Sequence, residues 1–168
     1  MRLFVTLVSL VAIATFLIPA APVQAQPVAL TGKMAPFSYL LGTPWNCSTN
    51  VPAMMGQPAH TDRGTAGFEV APGNVVHNHV STPMYSGDFY FGYNDKMSMY
   101  WQASADNMGG HGFSTSSDGK TYNGTTSMGP TAAQDVVTYN KVSDNNVTVH
   151  DVVTVGSQST TFDTTCTR

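Results

Sequence analysis

The sharpest local pattern in the 168-residue chain is His77-Asn78-His79. Side chains two apart on a β-strand point to the same face, so the two imidazoles could chelate one metal ion. A tight site needs a third or fourth ligand. His60, His150 or Asp151 could supply it, if the fold brings them together. The alternative is a pair of exposed strand histidines beside Val75, Val76 and Val80. His77 and His79 are therefore weak metal candidates only. His150-Asp151 invites a dyad reading, but adjacent strand residues face opposite ways. Asp151 shares a face with Val147, Val149 and Val153. If that face is interior, Asp151 is a cavity carboxylate in need of a partner, with Arg63 or Lys141 as candidates. If it is exterior, Asp151 is a surface charge.

Nucleophilic catalysis finds no support. The chain has no Gly-x-Ser-x-Gly turn, and its serines fall in turns and strands. Gly109-Gly110 lacks the strand–loop–helix context of a phosphate cradle. The nine methionines read as core filler, or, for Met54-Met55, Met84 and Met108, as loop residues that could form a flexible apolar mouth. No catalytic residue and no cofactor is assigned.

Compartment is more legible than chemistry. Met1-Arg2 is followed by an uncharged, mostly apolar run from Leu3 to Ile18, then Pro19 to Pro22 and Val23-Gln24-Ala25. These are the three regions of a secretory signal peptide, with small residues at the cut. The apolar run is short of the roughly 20 residues needed to span a bilayer, and no second run follows. The expected division is a signal peptide over 1–25, a leader over 26–33 and one domain over 34–168. Location is expected to be periplasmic or secreted, with no membrane span after cleavage. Loss of Arg2 moves the formal charge from −3 to about −4. Charged residues are only 10%, against the usual quarter or so. No basic run interleaves with aromatics, so nucleic acid is excluded as a partner class. In an oxidising compartment Cys47 and Cys166 have one intramolecular pairing available. That bond would tie the first strand to the last.

The elements that must position these residues are strands. Turn signals recur about every 8–12 residues, which is an all-β signature. Strands are expected over 45–50, 60–70, 75–81, 85–93, 97–103, 111–115, 121–127, 135–142, 147–155 and 159–167. Met34 to Leu41 is expected to make a short helical turn ended by Gly42. The connections are too short for parallel crossovers. About ten antiparallel strands in an up-and-down meander can hide both edges by closing into a barrel. A two-sheet sandwich is the runner-up. Alternation groups Phe89, Phe91 and Tyr93 on one face, and Met97, Met99 and Trp101 on one face of the next strand.

The segment Phe37 to Trp45, FSYLLGTPW, is similar to the Phe…Leu-x-Gly-x-Trp opening of lipocalin-like (calycin-type) barrels, with Pro44 as an extra residue. Gly92-Tyr93-Asn94-Asp95, Tyr100-Trp101, Gly109-Gly110-His111-Gly112 and Asp118-Gly119-Lys120 resemble a family of bacterial lipocalin-like domains of unknown function. These motifs are turns and aromatics, so they imply a fold and not a reaction. The resemblance implies a barrel of about ten strands with an internal cavity. Some related barrels bind haem through a histidine, but no histidine here matches that ligand.

The leading expectation is an exported barrel that sequesters a small, mostly hydrophobic molecule. Phe89, Phe91, Met99, Trp101 and Phe162 are expected as walls, with Tyr93 and Asp151 as polar handles. The alternatives are a metal- or haem-dependent enzyme using His77 and His79, and a solid-core structural or interaction protein. N-terminal sequencing of protein recovered from its native host should begin at Gln26. A start at Met1 in membrane-bound material would contradict the export reading.

Overall fold

The computed structural model describes residues 29–168, apart from 43, 55, 129 and 130. The expected signal segment 1–25 and most of the leader lie outside the described residues. A 3-10 helix, Gly32–Leu40, precedes ten strands. They are β1 (Trp45–Val51), β2 (His60–Ala71), β3 (Val75–Ser81), β4 (Ser86–Asn94), β5 (Met99–Asp106), β6 (His111–Ser116), β7 (Thr121–Met128), β8 (Thr131–Ser143), β9 (Asn146–Val155) and β10 (Gln158–Thr167). All neighbours are antiparallel, and β1 pairs with both β2 and β10, so the sheet closes into a barrel. Fold class and strand count are as the turn spacing predicts.

Local chemistry sets the strand ends. The expected strand over 97–103 begins two residues late, at Met99. The Asn94 side chain accepts the Lys96 and Met97 amides at 3.0 and 3.1 Å, and Ser98 sits at φ 52°, so Met97 and Ser98 belong to the turn. Asx-type turns of this kind compete with the ladder for backbone donors. At the β6–β7 hairpin Asp118 does the same for Lys120 and Thr121, with Gly119 at φ 72°.

One end of the barrel is sealed. The 3-10 helix lies across it, burying Met34 and Leu40. Met34 and Leu30 pack with Val76, Phe91 and Tyr122; Leu40 packs with Trp45, Ala66, Val147 and Cys166. Trp45 Nε1 donates to the Leu40 carbonyl at 2.9 Å. Asn74 and Thr31 exchange two hydrogen bonds, at 2.9 and 3.0 Å. The Arg168 guanidinium lies over the Trp45 ring at 4.6 Å and donates to the Leu41 carbonyl. Among the described residues no helix is long and apolar enough to cross a membrane.

Cys47 and Cys166 are directly opposed in the β1–β10 ladder and form a disulfide across a sequence separation of 119. The bond therefore locks the pairing that closes the barrel. A crosslink over so long a loop stabilises by about 4–5 kcal/mol at most in the chain-entropy model. The double variant Cys47→Ala/Cys166→Ala should lose up to that amount in urea unfolding. Its far-ultraviolet strand signal should persist, because the other nine ladders are local hairpins. Loss of strand signal in the folded baseline would show instead that closure depends on the covalent bond.

Candidate functional site

Directly opposed residues share a face, so the ladder registers trace rungs around the inside of the barrel. One rung runs Val70, Val76, Phe91, Gln102, Ser114, Gly124, Asp135 and Val153 from β2 to β9. Val76, Phe91, Gln102 and Ser114 on this rung are all buried, which identifies it as interior. Tyr122, Val137, Asp151 and Phe162 form another inward row across β7 to β10. Of the residues expected in the cavity, Phe89, Phe91, Tyr93, Asp151 and Phe162 thus point inward.

Met99 and Trp101 do not. Trp101 opposes Gly92, the residue between inward-facing Phe91 and Tyr93, so both lie on the outer face. A Cβ at position 92 would collide with the indole of Trp101, which lies flat across the glycine. Trp101, Met99, Phe113 and Met97 line an outer groove of about 390 Å³. Alternation assigned the right residues to one face of β5 but not the side that face looks to. The inner wall there is Tyr100, Gln102 and Ser104.

The interior is divided along its axis. Toward the sealed end it is aromatic: Phe91 meets Tyr122 and Tyr139 edge-on at 6.0 and 5.4 Å. Toward the other end the inner wall mixes buried residues, Asn78, Ala133 and Val153, with half-buried ones, Ser104, Thr126, Asp135, Asp151, Phe89 and Phe162. Partial exposure on the inner wall of a closed barrel means that water-sized space reaches it. Tyr139, on the aromatic side, is half-buried as well. Its hydroxyl donates to Gln102 Oε1 at 3.3 Å.

Asp135 and Asp151 are diagonal neighbours across β8 and β9. Each carboxyl bears on the titration of the other, and Oδ1 of each is buried with no hydrogen-bond partner among the described residues. Neither expected cation serves. Arg63 is exposed on the outer face, and Lys141 sits on Asp144 at the sealed end. Burial, then the hydrogen bond and charge of Asp135, push the Asp151 carboxyl up to about 8. Burial also raises Asp135, while its bond to Asp151 pulls the other way. Two interacting carboxyls titrate as a pair, and ionising the second costs more than ionising the first. Burial, then the charges of Asp106 and Asp151, raise the nearby Tyr85 hydroxyl to about 12. Asp135 escaped the sequence reading, although Ala133, Asp135, Val137 and Tyr139 alternate as clearly as the Asp151 row does.

His77 and His79 lie on the outer face of β3. His77 holds Glu69 Oε1 through Nδ1 and Asp88 Oδ1 through Nε2, both at 2.8 Å. His79 Nδ1 meets the same Asp88 oxygen at 3.0 Å, and the Tyr90 ring stacks on His77 at 4.7 Å. The Glu69 and Asp88 bonds raise His77 against the opposing effect of burial, and His77, then His79, lower Asp88. This is an exposed cross-strand ion cluster. His60 and His150 stand apart from it, on Asp62 and Asp163. Among the described residues no three His, Cys, Asp or Glu are arranged to hold a metal ion.

No protein-family model matches the chain, and no curated protein matches it. At the coarse level, a closed ten-strand antiparallel barrel is consistent with a lipocalin-like barrel.

The carboxyl pair gives a pH signature. Asp151 binds its proton in the folded chain up to about pH 8, whereas its ordinary value is 3.8. Its contribution is therefore fully present below the unfolded value and is lost as pH rises through the folded one. The raised His77 acts in the same direction at higher pH, so the comparison must be between variants. Asp151→Asn should flatten the fall in thermal midpoint between pH of about 4 and about 8 relative to the parent. Parallel curves would place the proton elsewhere.

Proposed function

We propose that this protein is an exported, periplasmic or secreted, lipocalin-like barrel that binds a small amphipathic molecule in its interior. The observation that carries the reading is the half-buried inner wall in the half of the barrel away from the 3-10 helix. A solid core would bury those side chains. Here Phe89 on β4 and Phe162 on β10, the latter directly beside Asp151, offer apolar contact, and Asp135 and Asp151 offer polar contact. Pockets that hold small molecules combine mostly apolar walls with a few placed polar groups. The sequence pattern of Met1 to Ala25 and the Cys47–Cys166 bond support an oxidising, extracytoplasmic setting.

The mechanism is sequestration. Apolar walls shield the ligand body from water, and the carboxyl pair orients its polar end. No step of bond making is needed.

Trp101 lies outside and Trp45 is buried at the sealed end, so intrinsic fluorescence is a poor reporter of the interior. Titration calorimetry against a panel of single-chain amphiphiles is the direct test, with native mass spectrometry of protein from its own compartment. One ligand per chain is expected. Phe162→Ala or Phe89→Ala should weaken binding by about 1–3 kcal/mol, the contact of one buried aromatic. Phe113→Ala, in the outer groove, should leave binding unchanged. No binding across the panel, or binding lost only with Phe113→Ala, would overturn the reading.

A further inference from the structure

We propose that the interior site selects ligands with a primary ammonium group at the end of an apolar chain. This rests on the interior binding site proposed above and names its ligand class. The polar part of that interior has acceptors and no cation. Asp135 Oδ1 and Asp151 Oδ1 are buried without partners among the described residues. All six described Lys and Arg residues are exposed, so the protein itself supplies no counter-charge.

A second, independent group points the same way. Ser114 is 4% exposed and faces the interior on the same rung as Asp135. Its hydroxyl offers a further acceptor on that inner wall. Only Gly124 separates the two along the rung. A Cβ at 124 would collide with the Phe113 carbonyl oxygen and with Ser114 itself. Glycine thus lets β7 press against β6 and keeps a side chain from standing between Ser114 and Asp135.

An ammonium carries three N–H donors and one positive charge. Two carboxyl oxygens and one hydroxyl oxygen supply three acceptors, and an ionised carboxyl supplies the negative charge that answers the ammonium. A divalent metal fits worse. Ca²⁺ takes six to eight oxygens and Mg²⁺ demands an octahedron, more than two carboxyls and a hydroxyl provide. A carboxylate ligand would meet like charge. A chain of apolar atoms attached to the nitrogen can run past Phe162 and Phe89 toward the barrel's far end. Asp151 lies four residues from the end of β9, roughly 13 Å along the strand at about 3.3 Å per residue. A medium-length alkyl chain matches that depth.

The test is calorimetry of the full-length processed protein with octylamine, octanol and octanoate at neutral pH. Octylamine should bind at least about tenfold more tightly than octanol, the worth of a charge-assisted hydrogen bond, and octanoate should bind most weakly. The isosteric double variant Asp135→Asn/Asp151→Asn removes both carboxyls and should remove most of the amine preference over octanol. Ser114→Ala should reduce it by a smaller factor. Because an Asn variant that fails to fold would give no affinity, each variant is first checked for the parental strand signal. The selectivity order of the unmodified protein decides the matter alone if a variant is lost. Equal binding of octylamine and octanol would overturn this inference and leave the interior site standing. Binding of none of the three, nor of any amphiphile in the wider panel, would overturn both.

Discussion

The pairing of β1 with β10 is the constraint on which everything else depends. Nine of the ten ladders join strands that follow one another in sequence, and each needs only a short turn. The tenth joins residues about 119 apart, and its loop-closure entropy must be met by long-range contacts. Three are visible. The Cys47–Cys166 bond sits in the ladder itself. Leu40 and Trp45 pack against Val147 and Cys166 just inside it. Arg168 reaches from the last residue to the Leu41 carbonyl and the Trp45 ring. With that seam closed, every strand gains an inside and an outside, and alternation acquires a meaning it lacks in an open sheet.

Closure also sets a gradient along the barrel axis. The 3-10 helix brings Leu30 and Met34 down on Val76, Phe91 and Tyr122, so that end is packed with apolar and aromatic groups. Moving away from it, the same rungs present Gln102, Ser114, Asp135 and Asp151. Polar groups on an inner wall lower stability unless they are paired, and those carboxyls are paired only with each other. A chain selected for folding alone would put Val or Leu there, as Val137 and Val153 already stand beside them. Locally unfavourable choices inside a consistent fold mark the places where something other than folding is selected.

Much of this architecture is legible in the residues. The turn sequences, such as Ala71-Pro72-Gly73-Asn74 and Asp118-Gly119, gave strand number and order, because backbone preferences at positive φ are local. The disulfide was legible from the export pattern and the cysteine count together with position, one cysteine in the first strand and one in the last. The orientation of a strand face was not. Phe89, Phe91 and Tyr93 look inward while Met99 and Trp101 look outward, and both sets are equally apolar. What separates them is the register of β4 against β5, which puts Gly92 opposite Trp101. That is a property of two strands together, and hydropathy along one strand does not carry it. The helical-turn expectation over 34–41 placed the sealing element within two residues of the observed Gly32–Leu40. Asp135 was missed for a different reason: an acidic residue between Gln134 and Val136 reads as a surface position until its row is known to face in.

The same residue types meet opposite fates on the two sides of the wall. Outside, Asp88 stands between two histidines and is held below its usual range, while His77 has a carboxylate on each ring nitrogen. Those groups complete one another, and solvent screens what is left. Inside, Asp135 and Asp151 have no histidine, lysine or arginine to answer them, and low polarity makes the missing partner matter more. Histidines drew the eye first in the sequence because they are the commonest metal ligands, but their bonding is already satisfied. The carboxyl pair is the electrostatically unfinished part of the molecule, and it lies where a ligand would be shielded from water. The binding chemistry proposed above therefore draws on the interior acids and not on the surface histidines.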